Sequence, residues 1–339
     1  MKRSAFFLTA LLVLGACDDA APEDPIDDPN PPVADVALYP VERGDRWGYM
    51  DASGRLVVQP EYRSARAYEN GYAVATNWED GANYAYYLRA DGSTAFRVQA
   101  DEAYPFFEGR ARVRADGRWG FIDSTGAYVI NPYLNDARDF SDGRARVKTT
   151  SYRWGFIATS GDVVIPTEYE GLGDFHDARA RFEAEGKWGY LAPDGSEAIA
   201  PQFDEARDFS DGRAAVRVGT QWGYIHASGQ FVLQPQFIAA GDYAEGRAPV
   251  RTENAWEYVD EAGVRVIDPA YEDARAFSES RAAVMINGRW TFIRPNGSRI
   301  RSPDFDEVWD FMGGVARVRI EERTGYLDAS GAYVWYPEQ

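Results

Sequence analysis

The sequence predicts an all-β fold: a tandem array of about nine units, each of 34 residues and three short antiparallel strands. Two observations carry that expectation. The first is a recurring tetrad. Trp47-Gly48-Tyr49-Met50 returns as Trp119-Gly120-Phe121-Ile122, Trp154-Gly155-Phe156-Ile157, Trp188-Gly189-Tyr190-Leu191 and Trp222-Gly223-Tyr224-Ile225. Looser copies begin at Trp256, Trp290 and Thr324, and each step from position 188 to 324 is 34 residues. A fixed period of this length marks a repeat architecture. The second observation is turn chemistry at constant offsets, with no amphipathic helical stretch of useful length between the turns.

One unit shows how the strands follow from the residues. In Arg213-Ala214-Ala215-Val216-Arg217-Val218 the apolar positions 214, 216 and 218 alternate, the pattern of a half-buried strand. Sister copies turn next at Asp116-Gly117 or Asn287-Gly288, dipeptides that suit tight hairpins. The tetrad forms the second strand. A further turn, such as Asp194-Gly195 or Asn296-Gly297, leads into a third strand that ends at a proline, as in Pro201-Gln202-Phe203 and Pro235-Gln236-Phe237. Proline lacks the donor that a ladder needs. A connector such as Asp204-Glu205-Ala206-Arg207-Asp208-Phe209 then closes on Asp211-Gly212, where glycine supplies a left-handed turn.

The chain before the repeats divides in two. Residues 1–16 have a targeting pattern: Lys2-Arg3, then an apolar run from Ala5 to Leu14 too short to span a bilayer. The run ends in Leu14-Gly15-Ala16-Cys17, at the only cysteine. This resembles the lipobox of bacterial lipoproteins, and the resemblance implies cleavage before Cys17 and acylation there. Two or more acyl chains anchor stably where one does not. Residues 17–36 read as a tether, because aspartates and glutamates alternate with Pro22, Pro25, Pro29, Pro31 and Pro32. Self-repelling charge and fixed proline φ keep such a segment extended.

From 37 to 339 the chain is repeat. Trp-Gly-aromatic-aliphatic, then aliphatic-x-Pro-x-aromatic, then Phe-x-(Asp/Glu)-Gly-x-Ala resembles the bacterial WG-repeat family, also called KWG repeats. The resemblance implies a β-rich domain, often secreted or on the envelope, with binding or scaffold roles and no catalytic residues to carry over. The second unit departs from the pattern, with Ala85-Tyr86-Tyr87-Leu88 in the tetrad place, and the last unit has Thr324 for Trp. An open solenoid is expected, because the units are shorter than the roughly 40–45 residues of a four-stranded WD40-type repeat. Nine units also exceed the roughly 4–8 blades of ordinary propellers. The alternative is a closed, propeller-like ring.

Composition narrows the function. With 54 Asp+Glu against 36 Lys+Arg, the formal charge is −18, which argues against nucleic acid and against electrostatic adhesion to anionic lipid. His176 and His226 fall in different units at unlike repeat positions, and no cluster of histidine and cysteine offers a transition-metal site. No cofactor, metal or enzymatic activity is expected.

The tryptophans divide by periodicity. Trp47, Trp119, Trp154, Trp188, Trp222, Trp256 and Trp290 recur at one position and are expected to be a structural ladder. Trp78, Tyr84, Tyr86 and Tyr87 accompany a four-residue insertion in the second unit, and Trp309 has no counterpart elsewhere. Aromatics in excess of the repeat mark binding surfaces. These five are the candidate ligand contacts. The expectation is therefore a membrane-anchored lipoprotein of the bacterial cell envelope, held by Cys17, whose repeats bind a protein or an envelope polysaccharide. A purely structural spacer is the alternative, and a carbohydrate-active enzyme a third reading.

Overall fold

A computed structural model describes residues 38–150, 152–253 and 255–336. Cys17, the signal segment and the tether lie outside the described residues. Among the described residues, 33 strands form nine antiparallel sheets, each a simple meander. The sheets span residues 39–62, 64–99, 102–134, 136–169, 180–203, 205–237, 239–271, 273–293 and 307–335, and are numbered here in that order.

The sixth sheet is representative. Its strands are Glu205–Ala206, Arg213–Val218, Gln221–His226 and Phe231–Phe237. The second and third pair without interruption from Arg213↔His226 to Val218↔Gln221, closed by a tight turn. The third and fourth are bulged, since Trp222 faces Phe237 while Tyr224 faces Leu233. Two residues on one strand thus oppose four on the other. Pro235 sits inside the irregular stretch, where a missing donor costs no ladder bond. A Cβ on Gly223 would lie 2.5 Å from the Leu233 carbonyl oxygen, so the tetrad glycine permits the close approach. The seventh sheet keeps the bulge with Glu257 in that slot, its buried carboxylate paired with Arg265 at 2.6 Å.

Two expectations need correction. Six of the nine sheets have four strands, not three. The connector, expected as a plain link, contributes an extra first strand, often of only two residues, such as Glu205–Ala206 or Ala239–Ala240. First strands of neighbouring sheets touch one another, as those over Glu102–Phe107 and Asp136–Ser141 do, so this edge faces the axis.

The array is also not an open solenoid; it closes into a nine-bladed ring. Nine separate hydrophobic clusters exist among the described residues, and each straddles two consecutive sheets. Nine sheets in an open row would have eight interfaces. The ninth cluster joins Val315 and Tyr326 of the last sheet to Tyr39, Val41 and Met50 of the first. The repeat length concealed this, because strands of only two to seven residues make a blade from fewer residues than expected.

The rings that seal these interfaces are chiefly the aromatics two residues beyond each Trp. Tyr49, Tyr87, Phe121, Phe156, Tyr190, Tyr224, Tyr258 and Phe292 are all almost fully buried. Each of Phe121, Phe156, Tyr190, Tyr224, Tyr258 and Phe292 packs on an aromatic ring of the next unit, as Tyr190 does on Phe209 at 4.8 Å between centroids. Of the tryptophan ladder, Trp119, Trp154 and Trp290 are buried, whereas Trp47, Trp188, Trp222 and Trp256 are half-buried.

Candidate functional site

The first strands carry charge in register. The acidic slot, on the first strand or just after it, holds Asp139, Asp208, Asp242 and Asp310 in sheets four, six, seven and nine, and Asp174 holds the same place ahead of the fifth sheet, which has no first strand; sheets two, three and eight have alanine or proline there. An arginine on the second strand of the preceding sheet reaches each of Asp139, Asp174 and Asp208. Arg112 meets Asp139 at 2.6 Å, Arg146 meets Asp174 at 3.0 Å and Arg181 meets Asp208 at 2.8 Å. The same arginines donate to the carbonyls of Ala137, Leu172 and Ala206, and so tie each sheet to the next one's inner edge. Burial pushes the carboxyls of Asp139 and Asp242 up from their ordinary values, against the pull of Arg112 and Arg207. These guanidinium groups also lie over tryptophan: Arg146 over Trp154 at 4.5 Å and Arg181 over Trp188 at 5.1 Å. Of the half-buried ladder tryptophans, Trp188 and Trp222 are thus covered, the latter by Arg207 at 5.8 Å.

A second network runs through the tight turns. The left-handed residue of one turn is usually acidic, and its carboxylate accepts a backbone N–H from the turn of the following sheet. Glu108 holds Gly143 (2.8 Å), Asp142 holds Ala178 (2.7 Å), Asp177 holds Gly212 (2.8 Å) and Asp211 holds Gly246 (3.3 Å). Glu245 then holds Ser280, and Glu279 holds Gly313 and Gly314. Much of the acidic excess is thus structural.

The arginine pairs join sheets three to six and the turn chain runs from sheet three to sheet nine; among the described residues neither links the ninth sheet to the first. Among the described residues, Arg317 occupies the arginine slot of the ninth sheet with no carboxylate in ion-pair range, and Asp310 occupies the acidic slot with no cation in range. In the preceding slot, sheets four to eight hold Arg138, Gly173, Arg207, Gly241 and Arg275, whereas sheets three and nine hold Tyr104 and Trp309. Here a cavity of about 520 Å³ opens, lined among others by Tyr39, Glu69, Tyr104, Trp309, Asp310 and Arg317. Clefts of roughly 300–1,000 Å³ accommodate small ligands.

The cavity walls are set by cation–aromatic contacts. Tyr104 lies beneath both Arg66 (3.8 Å) and Arg112 (3.5 Å), and Arg317 lies over Trp309 (4.5 Å). Trp309 remains 37% exposed. The Nε of Arg317 is buried without a hydrogen-bond partner. Burial raises the Glu69 carboxyl above its usual range, helped by nearby Asp139 and opposed by Arg66.

The five candidate aromatics do not come together. Trp309 lines the axial cavity. Trp78 is 55% exposed on a longer hairpin, Ala73–Glu79 with Ala82–Leu88, beside a different cavity. Tyr84 and Tyr86 are half-buried under Arg97, the former at 4.5 Å, and Tyr86 also packs on Tyr62. Tyr87 is core. It is the second unit's counterpart of Tyr49, and its hydroxyl donates to Tyr104 O as that of Tyr190 does to Arg207 O. Its placement among the excess aromatics is corrected accordingly. Tyr86 takes the tetrad glycine's slot because this sheet pairs regularly there, Tyr86 to Arg97 and Tyr87 to Phe96. Tyr104, which the candidates omitted, was visible as an aromatic where other units have Arg or Gly.

The profile of the family described as WG containing repeat matches eight segments, 47–77, 101–119, 119–150, 154–188, 188–219, 222–256, 258–290 and 290–323. A search of curated proteins found no match. Among solved structures, Hsv2 of Kluyveromyces lactis is similar at 8% identity and a TM-score of 0.44, covering 68% of this chain and 95% of its own. The uncharacterized protein lmo1340 of Listeria monocytogenes EGD-e gives 8% identity and a TM-score of 0.40, with 79% and 91% covered. The extracellular domain of the putative hybrid two component system BT3049 of B. thetaiotaomicron gives 8% and 0.26, with 90% and 59% covered.

Proposed function

The chain belongs to the WG-containing repeat family, and from that premise we propose that it is a binding module of the bacterial cell envelope, lipid-anchored through Cys17. Its ligand is a protein or an envelope polysaccharide, taken at the axial cavity where the ninth and first sheets meet. One observation carries this reading. The departures from the repeat converge on that cavity: Tyr104 and Trp309 stand where other units have arginine or glycine, and among the described residues Asp310 and Arg317 have no ion-pair partner. Many recurrent aromatics and acids hold sheet to sheet, whereas Trp309 keeps an exposed ring that an incoming ligand can bury.

The test is capture from an envelope extract with the full chain as bait. Trp309→Ala should abolish capture, with Trp78→Ala as the control that retains it. Undiminished capture by Trp309→Ala would remove the cavity from the account. Metabolic acyl label on wild type and its absence from Cys17→Ser would support the anchor; equal label on both would refute it.

A second reading has its own observation. Glu69 and Asp139 line the same cavity and both are raised by burial. Glycoside hydrolysis uses two carboxylates, one of them with a raised pKa. Asp139 is held by Arg112, which favours the structural role. Product analysis after incubation with glycan separates the two readings.

A further inference from the structure

The binding reading fixes a place. Resting on it, we propose that the axial cavity is a saccharide site, which takes one or two neutral sugar rings of a glycan by stacking on Trp309 and by hydrogen bonds to Asp310, Glu69 and Arg317.

The polar inventory selects the ligand class. Among the described residues, Asp310 and Glu69 present carboxylates without an ion-pair partner and Arg317 presents a guanidinium without one, all lining one cavity. A simple anion would satisfy only the arginine, and a simple cation only the acids. A hydroxyl group both donates and accepts, so a ring bearing several of them can donate to the carboxylates while accepting from Arg317. The cationic side chains that line the cavity unpaired, Arg66 and Arg317, balance Glu69 and Asp310, so the site holds no net charge to attract an ionic ligand.

The apolar inventory agrees. Trp309 is part-exposed in the cavity wall and offers an aromatic ring to the C–H face of a sugar, whereas Tyr39 is buried and Tyr104 is covered by Arg66 and Arg112. A peptide joining as an extra strand is disfavoured by the edge it would meet. On the first sheet the carbonyl of Leu38 already accepts from Tyr68 N–H, that of Pro40 accepts from the Tyr326 hydroxyl, and Pro40 has no N–H to give. Recognition through side chains is what remains.

The experiment is to screen the full chain on an array of neutral and acidic glycans and to titrate the best soluble binder calorimetrically. A neutral glycan should bind. Trp309→Ala should weaken it at least tenfold and Asp310→Asn severalfold, while Trp78→Ala leaves affinity and melting unchanged. If Trp309→Ala itself alters the melt, the exposed Asp310→Asn carries the test. Binding confined to acidic glycans, or binding indifferent to both cavity variants, overturns the proposal. An empty array together with Trp309-dependent capture of an envelope protein overturns the saccharide and leaves the binding module standing. An empty array with no capture overturns both.

Discussion

The Tyr326 hydroxyl donates to the carbonyl of Pro40 at 2.6 Å, across 286 residues of sequence. The same bond exists between adjacent sheets one and two, where Tyr49 donates to Val74 O at 3.0 Å. Pro40 and Val74 hold one register position, each opposite the aromatic of its own tetrad. The last sheet therefore treats the first as its next neighbour. Tyr39 adds bonds in the other direction, donating to the carbonyls of Met312 and Gly313. The ring closes through the contacts that the repeat already uses.

Tyr326→Phe should therefore destabilise the whole ring. It removes the Tyr326 donor from the Pro40 carbonyl, a loss of roughly 1–3 kcal/mol. A denaturant melt identical to wild type would show that this bond contributes nothing to closure.

The packing ladder predicts an order of effects. Tyr190 is fully buried against Phe209, whereas Trp188 is half-buried under Arg181. Tyr190→Ala should cost on the order of 3–5 kcal/mol, as large core truncations do, and Trp188→Ala clearly less. The reverse order in equilibrium unfolding would return the Trp to the centre of the account.

The chain of turns makes a smaller claim. Glu279 accepts from both Gly313 and Gly314 through its two carboxylate oxygens. Glu279→Gln keeps one acceptor and the left-handed turn, so a loss of about 1 kcal/mol is expected. Unchanged unfolding would mark the turn chain as decorative.

Acidity acts in two directions. In the hairpin turns, a hydrogen bond from Ser196 holds the Asp194 carboxyl below its usual 3.8, and one from Thr125 does the same for Asp123. A depressed folded pKa means stability that is present above 3.8 and lost as pH falls through the lower folded value. The difference in melting temperature between wild type and Asp194→Asn should thus be largest above pH 3.8 and shrink below it. Asp139 and Asp242, raised by burial, contribute with the opposite sign, since protonation favours the folded state as pH falls through their raised values. A gap for Asp194→Asn that widens on acidification would contradict the assignment.

Much of this architecture was legible because local chemistry dictates it. The Asp-Gly turns and the Trp-Gly bulge each impose a backbone geometry within a few residues, so strands two to four of each unit could be read; the proline expected to end the last of them instead lies within it, at the bulge. First strands of two residues, such as Ser64–Ala65, carry no periodicity and form only against a neighbour. Closure depends on the rotation from sheet to sheet, which no single unit encodes. Of the candidate site, Trp309 was found as an aromatic outside the period. Tyr87 was misplaced because an insertion shifted attention from its register opposite Val74.

The most direct test of the ring is amide hydrogen exchange in Tyr326→Ala. Truncating this buried ring removes packing on Tyr39 and the bond to Pro40. In a closed ring, protection should fall in the ninth sheet and equally in the strands Tyr39–Arg43 and Arg46–Met50 of the first. Protection lost only in sheets eight and nine, with the first sheet as slow as in wild type, would contradict closure.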